Sequence, residues 1–156
     1  MGINLLWTRV DNRLVHGQVG CQWVGQVKPN LIVVADDMAA EDKVQQSLMK
    51  MTADMYNVGI RFFTLQKCAD VINKASPSQH IMLVVRNLQS ARFLVENGVP
   101  IDKLNLGNMH FSEGKHVSKE PHVYLGEQDK ADIEAIKARG IRVFIQIAPG
   151  DTQYDM

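Results

Sequence analysis

The sequence predicts a three-layer α/β/α fold around a mostly parallel open sheet. Three observations carry that expectation. Compact apolar runs such as Leu31–Ala35 and Ile81–Val85 read as buried strands. Stretches of helix length lie between the strand-like runs, and parallel strands need crossovers of that size. The 156 residues are 46% hydrophobic and 22% charged, an ordinary globular composition at the size of one domain, 1–156.

The elements follow in order. Asn4–Thr8 reads as the first strand and Gly17–Val24 as a helix, with Gly25 near its end. Leu31–Ala35 is a buried strand ended by Asp36-Asp37. Ala40–Met55 carries Val44, Leu48, Met51 and Met55 at helical spacing, and Met49, Met51 and Met55 are assigned to the core. Ile60–Thr64 is a third strand, followed by a helix to about Asn73. After the turn at Ser76-Pro77-Ser78 come the strand Ile81–Val85 and the helix Leu88–Glu96, closed by Asn97-Gly98. Lys103–Leu106 is a strand stopped by Gly107-Asn108. His110–Lys119 is polar and irregular, and Val123–Leu125 reads as an edge strand. Asp129–Ala138 is helical, Arg142–Ile147 is the last strand, and 151–156 is expected as a loose tail.

Lys plus Arg equals Asp plus Glu at 17 each, so no net field draws the chain to nucleic acid or an anionic membrane. Cys21 and Cys68 form no C-x-x-C pair and are too few for a disulfide scaffold, which points to reduced thiols in cytoplasm. No basic and apolar leader opens the sequence, and no apolar run approaches the ~20 residues that span a bilayer. Work at a membrane would require another chain to hold this one there.

In such sheets the working groups collect at the carboxyl ends of the strands. That edge would hold the loops at Arg9–His16, Asp36-Asp37, Thr64, Arg86-Asn87 and Gly107-Asn108. The first is the most informative: Arg9-Val10-Asp11-Asn12-Arg13-Leu14-Val15-His16-Gly17-Gln18-Val19. A histidine that carries a phosphoryl group needs one ring nitrogen free to attack phosphorus and donors for the phosphoryl oxygens. Arginine forks and helix N-terminal amides supply such donors. His16 is thus the candidate nucleophile, with Arg13, Arg9 and Asp11 as candidate catalytic residues. Gly17, Gln18 and Thr64 are candidate phosphate-binding residues. Asp11 could orient an arginine or fix the imidazole tautomer, and the arginine role is favoured.

Asp36, Asp37 and Arg86 could join this edge, but a cap, a solvated carboxylate and a surface arginine are the favoured readings. His110, His116 and His122 fit no zinc spacing. Ser47-x-x-Lys50 is explained by helical spacing alone. Trp7 and Trp23 flank the histidine loop and are expected to buttress it. The block Gly107–Lys115 is polar and suits a docking surface.

The histidine loop resembles the signature of the IIB subunits of the mannose/sorbose family of bacterial sugar phosphotransferase systems. The match runs throughout Arg9–Val19, with Val10 where isoleucine is commoner. Further similar blocks are Gln22-Trp23-Val24, Asp36-Asp37, Gln45-Gln46-x-Leu48-Met49, Arg61-Phe62-Phe63-Thr64 and Asn105 to Lys115, the last most like the N-acetylgalactosamine and galactosamine branch. The resemblance implies that His16 takes a phosphoryl group on Nδ1 from a IIA protein, with Arg13 contacting the phosphate. It implies donation to the 6-hydroxyl of a sugar held by the IIC/IID membrane subunits, at the inner face of the membrane. It also implies an antiparallel edge on the sheet, which Val123–Leu125 would supply. No bound cofactor is needed, and a homo-oligomer stays open.

Two other classes were weighed. A nucleotide-binding α/β module should carry G-x-x-x-x-G-K-[ST] or G-x-G-x-x-G, and neither occurs; the His-x-Gly-His of nucleotidyl transferases is also missing. A non-catalytic regulatory protein would use His16 only for docking.

Overall fold

The computed structural model describes residues 3–156, except the side chains of residues 18–21. Its elements are β1 (Asn4–Asp11), α1 (Gly17–Val27), β2 (Leu31–Ala35), α2 (Lys43–Met55), β3 (Gly59–Phe63), α3 (Leu65–Val71) with a 3₁₀ turn at Ile72–Lys74, β4 (His80–Val85), α4 (Leu88–Glu96), β5 (Lys103–Asn108), β6 (His116–Val117), β7 (Tyr124–Leu125), α5 (Glu127–Lys137), β8 (Arg142–Ile145) and β9 (Tyr154–Asp155). Seven strands form one sheet in the order β3-β2-β4-β1-β5-β8-β9. All pairs are parallel except β8 with β9.

β2 is buried at every position, and β4 at all but His80, because both are interior strands with helices on each face. Alternate residues feed two cores. Ile32, Val34, Met82 and Val84 pack with Trp23 and Val24 of α1 and Met49 and Ala53 of α2. Val33, Ala35, Leu83 and Val85 pack on the other side with Cys68 of α3, Leu94 of α4 and Ile133 of α5. The three-layer expectation therefore holds. Burial pushes the Cys68 thiol up to about 12, so it stays protonated and inert at neutral pH.

Four expectations are corrected. The first strand runs on to Asp11, so Arg9 and Asp11 are strand residues and the loop shrinks to Asn12–His16. Tyr124–Leu125 does not edge the sheet; it pairs antiparallel with His116–Val117 in a separate two-stranded piece. The antiparallel edge comes instead from the segment expected as a tail. Tyr154–Asp155 pairs with β8, the Met156 N–H donates to Val143 O at 2.9 Å, and Arg142 Nε donates to Asp155 Oδ1 at 2.7 Å. Finally, α2 turns Met49 and Ala53 inward and leaves Val44, Leu48, Met51 and Met55 62–74% exposed. Both helix faces carry apolar residues, so spacing established the helix without saying which face is covered.

The segment between β5 and α5 is tied down by charge. Lys115 Nζ lies 3.2 Å from the buried carboxylate of Asp129, which also accepts from Gln89 and from the Gly126 N–H at the start of α5. This segment reaches back to the sheet edge where β1 ends.

Candidate functional site

β1 lies between β4 and β5, and its crossover helix α1 packs on the opposite face from α4. Chain directions part there, which opens the crevice where α/β sheets bind ligands. The Asn12–His16 loop crosses this point. Leu14 and Val15, buried in the α1–α2 core, anchor it; Leu14 takes a left-handed φ of 60°. On either side of those anchors Arg13 is exposed and His16 half-buried, its side chain 19% exposed.

His16 is the N-cap of α1, yet its side chain makes no capping bond. The ring instead turns to Asp11, with Nε2 3.2 Å from Oδ2. Three donors converge on the buried Asp11 carboxylate. Oδ2 faces His16 Nε2 and Arg9 Nη2, the latter at 3.4 Å, and Oδ1 accepts the Arg13 backbone N–H at 3.0 Å. A carboxylate only accepts, so in the neutral ring this contact favours the proton on Nε2 and the lone pair on Nδ1. Asp11 thus contacts both an arginine and the imidazole, so its position is compatible with either role expected of it. Gly17 follows at φ +36°, a conformation that favours glycine, and opens the first turn of α1 with its unpaired amides. Gln18 lies outside the described side chains.

Arg9 does not reach the surface. It is 4% exposed, and its two terminal nitrogens serve four acceptors: Asn105 Oδ1 at 2.6 Å, Gln146 O at 3.0 Å, Ile147 O at 3.1 Å and Asp11. Its guanidinium lies 5.1 Å over the Trp23 ring, which stacks on Trp7 at 4.9 Å. Burial lowers the Arg9 pKa to about 10 against the pull of Asp11, so it stays charged at neutral pH. Arg9, a candidate catalytic residue by sequence, is thus a buried cation that holds Asp11. Trp23, with Trp7 packed against it, shares a core cluster with Leu14 and Val15 of the histidine loop, as the expected buttress requires, and Trp23 Nε1 donates to Ile147 O at 2.9 Å.

Gly107 permits that burial. A Cβ at Gly107 would overlap the Arg9 guanidinium carbon. Gly107→Ala should therefore cost about 1–3 kcal/mol by overpacking. Urea unfolding checks this, with a lower midpoint at unchanged slope as the expected result.

Arg86 and Asp36 pair on both forks, Nε to Oδ1 at 3.0 Å and Nη2 to Oδ2 at 2.8 Å. Arg86 Nη1 also donates to Asn12 O at 3.3 Å, so the pair supports the histidine loop from beneath. Asp37 accepts the Leu65 N–H. Thr64 is a correction: its hydroxyl caps α3 through the Lys67 N–H, and it follows β3, the edge strand. Three inter-strand steps separate it from β1, about 14 Å. The structure does not bring it to His16.

Gly107-Asn108 was expected at the carboxyl edge of the sheet and Asn105 in a similar block, but sequence pattern gave neither asparagine a role of its own. Asn108 ends β5, and its backbone carbonyl accepts the Asn12 N–H at 2.8 Å. With its amide oriented by its neighbours, Oδ1 accepts from Arg13 Nε at 2.9 Å and Nη2 at 3.0 Å, and Nδ2 donates to His122 O at 3.2 Å. No group of three or more metal-ligating side chains occurs among the described residues.

A parallel sheet whose switch point presents an unencumbered imidazole nitrogen, a helix N-terminus and an exposed arginine defines the class. Residues 5–156 match the family model for the PTS system sorbose subfamily IIB component, and the chain belongs to that family of phosphotransferase components. Among its relatives, the N-acetylgalactosamine-specific phosphotransferase enzyme IIB component 1 of Escherichia coli K12 is 53% identical over 149 residues, 95% of this chain and 93% of that protein. The crystal structure of the N-acetylgalactosamine-specific IIB component 1 from Escherichia coli superimposes with a TM-score of 0.93, covering 98% and 99% of the two chains at 51% identity. A PTS-dependent N-acetyl-galactosamine IIB component from Streptococcus pyogenes gives a TM-score of 0.89 at 44% identity, covering 98% and 94%.

Proposed function

We propose that His16 carries the phosphoryl group and that the sugar is N-acetylgalactosamine or a close amino-sugar relative. The observation that carries the reading is the Asp11 carboxylate on Nε2, which leaves Nδ1 as the nucleophilic lone pair. In the first half-reaction the P–N bond of a phosphohistidine on the IIA partner breaks as a P–N bond to His16 Nδ1 forms. In the second, the His16 P–N bond breaks as a P–O bond to the sugar 6-hydroxyl forms, and that hydroxyl gives up its proton. Positioning and charge stabilisation dominate such transfers. The exposed Arg13 guanidinium and the amides at the start of α1 supply the charge without a cofactor. The Asp11 carboxylate sits on the far ring nitrogen, where its repulsion of the phosphoryl group is least.

IIB components of this family work with IIA and IIC/IID partners. No helix among the described residues is long and apolar enough to cross a membrane. We place the chain at the inner face of the membrane, held there through the permease. The sugar assignment rests on relatives specific for N-acetylgalactosamine.

The test starts from the ³²P-labelled protein, mixed with vesicles bearing the cognate IIC/IID pair and one sugar at a time. Label should leave the protein for N-acetylgalactosamine or galactosamine at the 6-position, well ahead of mannose, fructose or sorbose. Transfer to mannose alone contradicts the sugar assignment. Retention of label with every sugar contradicts the carrier role.

A further inference from the structure

We propose that Asn108 is the positioning residue for Arg13, fixing which edge of its guanidinium stays open to the phosphoryl group. The inference rests on the reading that Arg13 stabilises a phosphoryl group on His16. Arg13 stands in an exposed loop, where a long side chain would sample many rotamers. Its Nε and Nη2 hydrogens go to Asn108 Oδ1 at 2.9 and 3.0 Å. A guanidinium has five N–H donors. Two are used on this edge, so both Nη1 hydrogens and one on Nη2 remain for phosphoryl oxygens.

Asn108 is itself held on two sides. Its carbonyl accepts the Asn12 N–H, one residue before Arg13, and its Nδ2 donates to His122 O. The Met109 N–H also donates to His122 O, at 3.0 Å, and the Tyr124 N–H donates to Met109 O at 2.9 Å. The acceptor that meets Arg13 is thus built into the framework joining β5 to the β6–β7 piece.

The amide also fits the chemistry. A carboxylate in its place would pair with the guanidinium and compete with the phosphoryl group, and its charge would repel that group. A neutral carbonyl aims the arginine without cancelling its charge. Ordering Arg13 before the phosphoryl group arrives removes rotamer entropy from the transfer step.

The test is a cycle of Arg13→Ala, Asn108→Ala and the double variant. Phosphoryl uptake is followed with phosphoenolpyruvate and the upstream donor proteins, including IIA. Arg13→Ala should slow uptake about 10²-fold and Asn108→Ala about tenfold. The double variant should be no slower than Arg13→Ala alone, because Asn108 acts only through Arg13. Additive losses, or full activity in Asn108→Ala, overturn the proposal and leave the carrier reading standing. No loss in Arg13→Ala overturns the role given to Arg13, and the proposal with it. A measurement on the unaltered protein stands independently of how the variants fold. The Arg13 Nε–H resonance, assigned by its disappearance in Arg13→Lys, should be protected from solvent exchange. Exchange as fast as in the exposed Arg139 side chain overturns the proposal.

Discussion

Replacing His16 by alanine should abolish phosphoryl labelling while leaving the fold intact. The two halves of that result have separate causes. On the proposed reading the imidazole is the phosphoryl acceptor among the described side chains of the loop, so its loss should leave none. Its contribution to stability is small. It is partly exposed, makes no capping bond to α1, and its one polar partner among the described residues is Asp11. Asp11 keeps Arg9 and the Arg13 N–H when the ring is gone. The expected stability change is below about 1 kcal/mol. Phosphate incorporation and thermal unfolding, run on the same preparation, check both halves. Normal labelling of His16→Ala places the phosphoryl group elsewhere.

Asp11→Asn should lower the uptake rate by about 10³-fold, with the His16 side chain still present. The size follows from the hydrogen-bond inventory. All three partners of Asp11 are donors: the imidazole Nε2–H, the Arg9 guanidinium and the Arg13 backbone N–H. An asparagine must turn its NH₂ toward one side. Facing the Arg13 N–H, it sets donor against donor and loosens the loop. Facing His16, it donates to Nε2, drives the proton to Nδ1 and blocks the nucleophile. Either orientation also removes the charge that compensates buried Arg9, so stability should fall by roughly 1–3 kcal/mol. Uptake kinetics measured where the variant is fully folded separate the two effects. A rate within a factor of about three of the parent would show that the tautomer is set by something other than Asp11.

Much of the architecture could be read from local pattern. β2 and β4 are buried runs bounded by turn residues, and burial on both faces is what makes them continuous apolar segments. Asn87 and Thr64 stand before α4 and α3 and cap them as their residue types suggest. What failed was whatever depends on distant partners. Arg9 and Asp11 look like loop residues because isolated charges do not belong in an interior strand. They are in β1 because Asn105, Gln146 O and Ile147 O satisfy the guanidinium from the far end of the chain. Thr64 looked like a phosphate ligand because it ends a strand, but strand order places it at the edge of the sheet. Tyr154 and Asp155 lack strand pattern; Arg142 and the β8 backbone hold them.

The candidate site divides along the same line. His16 and Arg13 were legible because their role is local, set by a loop leading into a helix. The contact of Asn108 with Arg13 was not, since it depends on the β1–β5 pairing, although sequence placed Asn108 at the same edge. Gly107 likewise reads as a strand terminator until Arg9 is seen lying against it.

The central claim is that Asp11 holds Nε2 so that Nδ1 takes the phosphoryl group. ¹⁵N–³¹P NMR of the protein labelled at histidine nitrogen, before and after phosphorylation, tests it directly. The account predicts that free His16 is protonated at Nε2, and that phosphorus couples to Nδ1 after transfer. Phosphorus on Nε2, or a free ring protonated at Nδ1, would contradict it.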